Sequence, residues 1–225
     1  MGRGPGKLGL GTLGLGKLGI GVALLGACWA GLPAEAAPYQ PQVGDELRYG
    51  ISNGDVAITR VIRTRGQGER TYAQVVQTLL RKGTDPQTSR FTVIHTAEGM
   101  AIQVAAPAEG VQLSPLVYYL QDAGERASWL AQKGSYRDAE GREIGYELTA
   151  EFLGNETVSV VAGKFEGCAK IRYRTKLAGV LQGATSELVF WVKPEIGIVK
   201  TRSLQEGRVT ETELLSFQRA TLAHP

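Results

Sequence analysis

Polar and apolar residues alternate along most of the chain after residue 43, which is the period of a half-buried β-strand. Gly, Asp, Asn and Pro separate the alternating segments, as expected for short antiparallel connections. Asn53-Gly54 lies between the first two segments and predicts a tight hairpin in which both residues have positive φ. The first five predicted strands are Asp45–Ser52, Asp55–Arg65, Thr71–Arg81, Phe91–His95 and Met100–Val104.

The second half of the chain repeats this pattern after one interruption. Pro107, Pro115 and the apolar run over 113–120 predict a loop with one helical turn that ends at Gly124. Gly154-Asn155 predicts a turn between two later strands. The strands predicted after the interruption are Ser128–Arg137, Ile144–Leu153, Glu156–Val161, Gly167–Leu177, Ser186–Lys193, Gly197–Ser203 and Arg208–Phe217.

About eleven strands with at most one short helix indicate an all-β fold. Because so many strands rarely form one flat sheet, we predict an antiparallel meander curled into a half-barrel or a barrel. We expect a single β domain over residues 40–217, followed by a C-terminal tail over 218–225. Its apolar strand faces are expected to form a packed core, and the alternative is a concave cavity for one hydrophobic ligand.

The beginning of the chain differs from the rest and predicts export. Positive charge without an acid is followed by an apolar stretch, and Ala34-Glu35-Ala36 matches the small-x-small pattern cut by leader peptidases. Residues 1–36 are therefore interpreted as a signal peptide. Alternatively, Leu25-Gly26-Ala27-Cys28 resembles a bacterial lipobox, in which case residues 1–27 are removed and Cys28 carries a lipid anchor. Both cleavage points stay open.

Removal of the leader changes the charge balance. The chain has 25 Lys and Arg residues against 22 Asp and Glu residues, a formal net charge of +3, but Arg3, Lys7 and Lys17 lie in the leader. The exported part is therefore near neutral, which argues against a nucleic-acid partner. No later apolar run reaches the ~18 residues of a transmembrane span. Because Cys28 is cleaved off or acylated, Cys168 is expected to be a lone buried thiol.

The clearest alternation of the chain lies in the strand that ends at Leu177. Its apolar residues point to one side, and these are Ile171, Tyr173, Thr175 and Leu177. Its cations point to the other side, and these are Lys170, Arg172, Arg174 and Lys176. This basic face either binds anionic headgroups or polysaccharide, or it pairs with glutamates of neighbouring strands. We favour pairing, since opposite charges commonly face each other across a solvated sheet. The candidate partners are Glu147, Glu151, Glu211 and Glu213.

Several motifs of the second half resemble exported bacterial proteins of unknown function. Ala162-Gly163-Lys164-Phe165-Glu166-Gly167-Cys168 is similar to their Ala-Gly-x-Phe-x-x-Cys element. Phe190-Trp191 and Gly197-Ile198-Val199-Lys200 resemble their later Trp/Tyr and Gly-x-Val-Lys elements, and Gly124 with Trp129 resembles an earlier Gly-to-Trp element. The resemblance covers residues 115–217. It implies an all-β, half-barrel-like domain similar in shape to periplasmic lipoprotein carriers, without an established activity.

The sequence contains no catalytic, cofactor-binding or metal-ligating constellation, and its only histidines are His95 and His224. We therefore expect a non-enzymatic protein of the periplasm or cell envelope that binds an apolar or amphipathic ligand, with a lipid or another envelope component as partner. One alternative is a hydrolase that uses the glutamates Glu147, Glu151, Glu211 and Glu213. A purely structural envelope protein is the other alternative. The oligomeric state is left open.

Overall fold

The structure is a computed structural model that describes residues 39–104, 112–137, 141–177, 187–205 and 207–220. The predicted signal peptide and Cys28 lie outside these residues. Within them, thirteen strands form one sheet, and no helix has the length and hydrophobicity to cross a membrane. The elements are β1 (Glu46–Ile51), β2 (Val56–Gln67), β3 (Arg70–Leu80), β4 (Gln87–His95), β5 (Gly99–Val104), β6 (Gln112–Leu113), β7 (Leu116–Leu120), α1 (Ala123–Arg126), β8 (Ser128–Arg137), β9 (Glu143–Val160), β10 (Gly163–Leu177), β11 (Glu187–Lys193), β12 (Gly197–Gln205) and β13 (Arg208–Gln218).

The strands form an antiparallel meander that closes on itself. Strands β8 to β13 follow each other around the sheet, and β13 pairs with β1, from which the row continues to β5. Residues 112–120 join the two ends, because β6 pairs with β8 and β7 pairs with β5. Across this seam, Trp129 Nε1 donates a hydrogen bond of 3.1 Å to Val117 O. The sheet is therefore a nearly closed barrel, and the predicted fold class is confirmed.

The segment predicted as a loop contains two short strands, β6 and β7. Because the strands predicted at Ile144–Leu153 and Glu156–Val161 are one continuous strand, β9, the sheet has thirteen strands. The helical turn is present as α1, but Gly124 lies inside it rather than at its end. An apolar run of this length fits a buried strand as well as a helical turn, so periodicity does not decide between them. The structure shows that the run supplies the strand that closes the barrel.

Gly154-Asn155 does not form the predicted turn, because β9 is continuous from Glu143 to Val160. Gly154 has φ 112° and lies where the register between β9 and β10 shifts. Glycine tolerates this conformation, and an extra residue at such a point makes a β-bulge that bends the strand without ending it. The turn comes later, before Gly163, which begins β10 with φ 142°.

The hairpin at Asn53-Gly54 is present, but only Gly54 has positive φ, at 90°. Ile51 N donates to Asp55 O at 2.9 Å, and the Asn53 side-chain carbonyl accepts a hydrogen bond of 3.0 Å from Asp55 N. The connection is therefore one residue longer than a two-residue turn. Longer hairpin loops of this kind need one left-handed residue, and Gly54 supplies it.

Inward-facing side chains pack the barrel. Ile171 and Tyr173 are buried on the side that the alternation predicts, and the rings of Tyr173 and Phe190 lie 4.8 Å apart. The buried phenols find carbonyl acceptors: Tyr173 Oη donates to Tyr118 O at 2.7 Å, and Tyr49 Oη donates to Ile198 O at 3.1 Å. These hydroxyls are therefore buried without the penalty of an unmade hydrogen bond.

The residues that precede β1 close one end of the barrel, which we call the Tyr39 end. Tyr39 is buried there, with its ring 5.6 Å from that of His95 at the end of β4. Its hydroxyl donates to Asp45, whose carboxylate also accepts hydrogen bonds from Gln42 N at 2.8 Å and from Ala220 N at 2.9 Å. This one buried carboxylate joins the segments that precede β1 and follow β13.

Candidate anion-binding faces

The interior of the barrel contains a cavity of about 20 Å³ at the Tyr39 end. Its lining includes Tyr39, Thr59, His95 and Tyr118 among apolar side chains. The volume suffices for about one water molecule, whereas ligand pockets commonly measure roughly 300–1,000 Å³. The described inward-facing residues therefore form a packed core at this point, as expected from the default interpretation of the apolar faces.

His95 is the one histidine among the described residues, and it is 4 % exposed. Neither of its ring nitrogens has a hydrogen-bond partner in the described part of the chain. Burial lowers the pKa of the imidazole to about 4, so His95 is neutral at neutral pH. An uncharged ring inside a packed core fits a structural role rather than acid–base chemistry.

Cys168 is fully buried and is a free thiol. Its Sγ donates to Phe165 O at 3.5 Å, and burial raises the pKa of the thiol to about 11. A thiol that is protonated and inaccessible is a poor nucleophile. This agrees with the expectation that Cys168 is a buried core residue.

The basic strand lies on an outer face formed by five adjacent strands, β9 to β13. Across this face, glutamates occupy the two outer strands, cations occupy β10 and β12, and apolar side chains occupy β11 between them. We call it the paired face. The register brings its residues into two rows, of which one is Lys170, Trp191, Lys200 and Glu213 and the other is Glu151, Arg172, Val189, Arg202 and Glu211.

The cations of the paired face lie within ion-pair distance of glutamates. Arg172 Nη2 is 2.8 Å from Glu151 Oε2, and Lys200 Nζ is 2.7 Å from Glu213 Oε1. The hydrogen bond from Arg172 holds the pKa of Glu151 below its usual value. Burial opposes the charge of Lys200, but hydrogen bonds to Glu213 and Glu211 outweigh it and raise the pKa of the ammonium. The cations and glutamates of the paired face therefore satisfy each other as ion-pair partners.

The observed ion pairs of β10 differ in part from those predicted from the sequence. Arg172 lies opposite Glu151 as considered, whereas Lys170 pairs with Glu156, at 3.0 Å between Nζ and Oε1. Glu211 and Glu213 lie beside cations of β12, because β13 is adjacent to β12 and not to β10. The order of strands around the barrel, which alternation does not reveal, decides these partners.

The remaining two cations of β10 are less tightly held. Arg174 Nη1 is 3.9 Å from Glu151 Oε2 and lines an open groove of about 320 Å³. The backbone of Lys176 pairs with that of Glu147, but its side chain lies outside the described part of the chain. Binding of an anion by Lys170, Arg172, Arg174 and Lys176 stays a prediction.

Trp191 lies on the paired face between two ammonium groups. Lys170 Nζ is 5.2 Å and Lys200 Nζ is 6.0 Å from the centre of its ring, and its indole N–H donates to Glu156. The two lysines cover the ring, so that Trp191 is 9 % exposed although it faces outward. Cation–π attraction and burial of the lysine stems both stabilise this arrangement.

A second group of cations lies on the outer side of β2, β3 and β4. Ala73 and Phe91 are buried inside the barrel, so the residues beside them in each strand face outward. The register pairs Arg65 with Tyr72, Arg63 with Gln74 and Arg90 with Val76. We call this surface the arginine face, and its cations are Arg63, Arg65, Arg70 and Arg90.

The four cations of the arginine face are exposed and have no ion pair with any described residue. Two glutamates lie near them. Glu46 is held by Arg60, which donates to it from Nε at 3.1 Å, and by Arg48 at 3.5 Å. Glu69 lies in the turn between β2 and β3. The arginine face therefore keeps positive charge that no described residue neutralises.

The arginine face is not apparent from the alternation of polar and apolar residues. Strict alternation puts Arg60 and Arg63 on opposite sides of a strand. The structure restores them to one side with a bulge, in which the pairing of β2 with β3 shifts register between Val61 and Arg63. The available signal was the composition of residues 60–90, which carry several arginines and few acids.

Two solved structures have a fold similar to that of this chain. A candidate exported protein of Bacteroides fragilis NCTC 9343 with a YmcC-like fold matches it with a TM-score of 0.57 and 13 % identity, over 81 % of this chain and 99 % of that one. A candidate lipoprotein of Parabacteroides distasonis ATCC 8503 matches with a TM-score of 0.59 and 13 % identity, over 82 % of this chain and 100 % of that one. The fold is similar to a YmcC-like fold. No protein-family model and no curated protein matches the chain.

The likeness to a YmcC-like fold agrees with the resemblance to exported all-β proteins, while the individual motif elements stay predictions. In the part of the barrel that the structure describes, no group of three or more His, Cys, Asp or Glu side chains could hold a metal ion. The chemistry that the two outer faces offer is therefore that of charge. Exposed guanidinium groups without partners can bind phosphate or carboxylate.

Proposed function

We propose that this chain is an exported protein of the cell envelope that acts by binding, and that the arginine face binds an anionic envelope component. The single observation that carries the proposal is the absence of ion-pair partners at Arg63, Arg65, Arg70 and Arg90 within the described residues. The two structural neighbours, described as a candidate exported protein and a candidate lipoprotein, support the location.

The chemistry of arginine supports phosphate or carboxylate as the bound group. A guanidinium presents a rigid fork of N–H donors that fits both groups in a bidentate manner. The neighbours of these arginines across the sheet are Gln67, Tyr72, Gln74 and Val76, none of which can neutralise a cation. An external polyanion can therefore bind them without first displacing a carboxylate of any described residue.

The packed interior supports an outer binding surface over an enclosed apolar ligand. A cavity of about 20 Å³ does not accommodate a fatty acid or a larger amphipathic molecule. For this reason we place the proposed partner on the outside of the barrel. This narrows the expectation from the sequence, in which an apolar or amphipathic ligand was the first choice.

The described glutamates support binding over hydrolysis. A general acid at neutral pH needs a raised pKa, but the hydrogen bond from Arg172 lowers the pKa of Glu151. Glu211 and Glu213 both lie beside Lys200, at 3.3 Å and 2.7 Å. Glu147 lies 3.7 Å from Lys133 Nζ. These glutamates therefore act as ion-pair partners of the neighbouring cations.

A heparin column tests the proposal, because heparin is a soluble polyanion and elution with salt measures charge-dependent binding. The protein is the full chain with Cys28→Ser, isolated after export so that no acyl chain contributes. Arg63→Ser, Arg65→Ser and Arg70→Ser are combined in one variant. The matched control combines Lys170→Ser, Arg172→Ser and Arg174→Ser, which removes the same number of cations from the paired face.

We expect the arginine-face variant to elute at clearly lower salt than the parent protein and the control variant to elute near it. Equal elution of all three proteins would overturn the proposal. Loss of binding in the control alone would assign anion binding to the paired face instead. Thermal unfolding of both variants shows whether they remain folded.

We also infer that the protein is held at a membrane through Cys28, as the lipobox-like sequence predicts. Palmitate labelling of the full chain in a bacterial host tests this inference, with Cys28→Ala as the control. Label on the parent protein and none on the variant is the expected result. An unlabelled parent protein means that cleavage follows Ala36 and that the domain is released.

A further inference from the structure

We propose that the arginine face docks on an anionic phospholipid surface, with the Tyr39 end of the barrel turned toward the membrane. This inference rests on the proposed function and names the partner of the same face. It is carried by the position of three arginines at one end of the barrel, by exposed apolar side chains beside them, and by the place where the chain enters the fold.

Three of the four arginines lie at the Tyr39 end. The pairing of β1 with β2 begins at Glu46 and Arg60, whereas β2 and β3 remain paired as far as Gln67 and Arg70. This part of the β2–β3 hairpin extends beyond the start of β1, and it carries Arg63, Arg65 and Arg70. Thr71 pairs with His95, whose ring contacts Tyr39, so the hairpin turn and Tyr39 share one end of the barrel.

Exposed apolar side chains lie beside these arginines. Ile62 is 43 % exposed at the bulge of β2, and Val43 is 54 % exposed in the turn before β1. Gly44 N donates to Val61 O at 2.8 Å, which brings the turn that contains Val43 against this part of β2. Surfaces that rest on membranes combine cations, which meet the phosphates, with apolar side chains, which enter the headgroup region. A soluble polysaccharide offers nothing for these apolar side chains to enter.

The course of the chain brings the same end toward a membrane. Tyr39 follows Cys28 by eleven residues, which span at most ~40 Å when fully extended. A lipid on Cys28 therefore keeps the Tyr39 end of the barrel near the bilayer. The opposite end, which carries the turn between β3 and β4, is separated from it by the eleven residues of β3.

The number of charges at the Tyr39 end predicts how much anionic lipid increases binding to a membrane. Each arginine near an anionic leaflet increases binding by about fivefold at physiological ionic strength, and each acid opposes it to a similar extent. Arg63, Arg65 and Arg70 against Glu69 and Glu98, which is exposed in the neighbouring turn between β4 and β5, leave one net charge, which corresponds to roughly fivefold. Because screening limits this attraction to about 8–10 Å, only an orientation with the hairpin at the surface achieves it.

Two measurements on vesicles test the proposal, with the exported full chain carrying Cys28→Ser. The first compares sedimentation with vesicles of phosphatidylcholine alone and of phosphatidylcholine mixed with phosphatidylglycerol. The second attaches a dye to Gln67→Cys at the hairpin turn or to Thr84→Cys at the opposite end, and adds lipids that carry a quencher in the headgroup region. Cys168 is buried and does not compete for the dye.

We expect binding only to the mixed vesicles, a loss of at least tenfold in the Arg63→Ser, Arg65→Ser, Arg70→Ser variant, and quenching of the dye at residue 67 but not at residue 84. Vesicle binding without quenching at residue 67 would overturn the orientation. Heparin binding without vesicle binding would overturn the phospholipid partner and leave the proposed function intact. Failure to bind either probe would overturn the proposed function as well.

Discussion

The paired face and the arginine face lie on the same barrel and differ in what surrounds their cations. On the paired face, Lys170, Arg172 and Lys200 each lie within 3.0 Å of a glutamate oxygen. On the arginine face, none of the four cations has such a partner among the described residues. The number of cations is similar on both faces, so the difference lies in the residues that the register places beside them.

The residues opposite each cation explain this difference. Arg172 lies opposite Glu151, and Lys200 lies opposite Glu213. Arg63, in contrast, lies opposite Gln74, and Arg65 lies opposite Tyr72. Ion pairs between such exposed side chains contribute only about 0–1 kcal/mol each to stability. The pairs on one face and their absence on the other therefore matter more for what each surface can bind than for the free energy of unfolding.

The pH dependence of the free energy of unfolding shows whether His95 in the interior controls stability in acid. The pKa of His95 is about 4 in the folded protein against 6.5 in an unfolded chain. As pH falls from 6.5 to 4, the unfolded chain takes up a proton that the folded protein refuses, so the free energy of unfolding decreases by about 3 kcal/mol. Tyr39 and Tyr118, which share its cavity, do not titrate in this pH range, and burial raises the pKa of both further.

Urea unfolding between pH 7 and pH 4 measures this loss, and His95→Leu is the variant that removes it. Because the variant changes stability at every pH, the slope with pH is the readout. The lowered pKa values of Glu151 and Glu156 leave their ion pairs intact until lower pH. An unchanged slope in His95→Leu would mean that His95 does not control acid stability.

Trp191 is the feature of the paired face with the largest expected contribution to stability. Trp191→Leu removes the ring between Lys170 and Lys200 and leaves Glu156 without the indole donor. We expect a loss of about 2 kcal/mol, since the side chain is buried and its partners remain. Tyr72→Leu on the arginine face is the matched control. Equal losses in urea unfolding would show that the lysines do not stabilise Trp191.

The fold was largely predictable from alternation, while the candidate site was not. The basic strand follows a strict period of two, so the sequence identified Lys170 to Lys176 and placed Ile171 and Tyr173 in the core. Alternation failed where it is broken by bulges, at Gly154 and at Ile62. Alternation also carries no information on which strands are neighbours. The ion-pair partners of Lys170 and Lys200 therefore could not be predicted from it.

Removal of the acids from the paired face is expected to create a second anion-binding surface. Glu151→Gln, Glu156→Gln, Glu211→Gln and Glu213→Gln together release the cations of β10 and β12 while amides keep similar shape and can accept hydrogen bonds. We expect binding to heparin to increase by about tenfold, or roughly 1.4 kcal/mol. Unchanged elution from heparin would mean that removing the ion-pair partner of a cation does not by itself allow it to bind an external anion. The difference between the two faces would then not be explained by ion pairing alone.

The smallest effect concerns single arginines. Arg172→Ala removes a partly buried cation that donates to Glu151 at 2.8 Å, and we expect it to lower the free energy of unfolding by about 1 kcal/mol. Arg63→Ala removes an exposed side chain without an ion pair, and we expect a change below about 0.5 kcal/mol.

A double-mutant cycle of Arg172→Ala with Glu151→Ala separates the pair from the loss of packing, and raised salt should reduce its coupling energy. A loss at Arg63 as large as that at Arg172 would mean that Arg63 has an intramolecular role after all. In that case Arg63 would no longer count among the cations available to a partner. We expect Arg63→Ala to leave the free energy of unfolding nearly unchanged and the triple variant to lose polyanion binding. Together these results would show that Arg63 serves recognition and not stability.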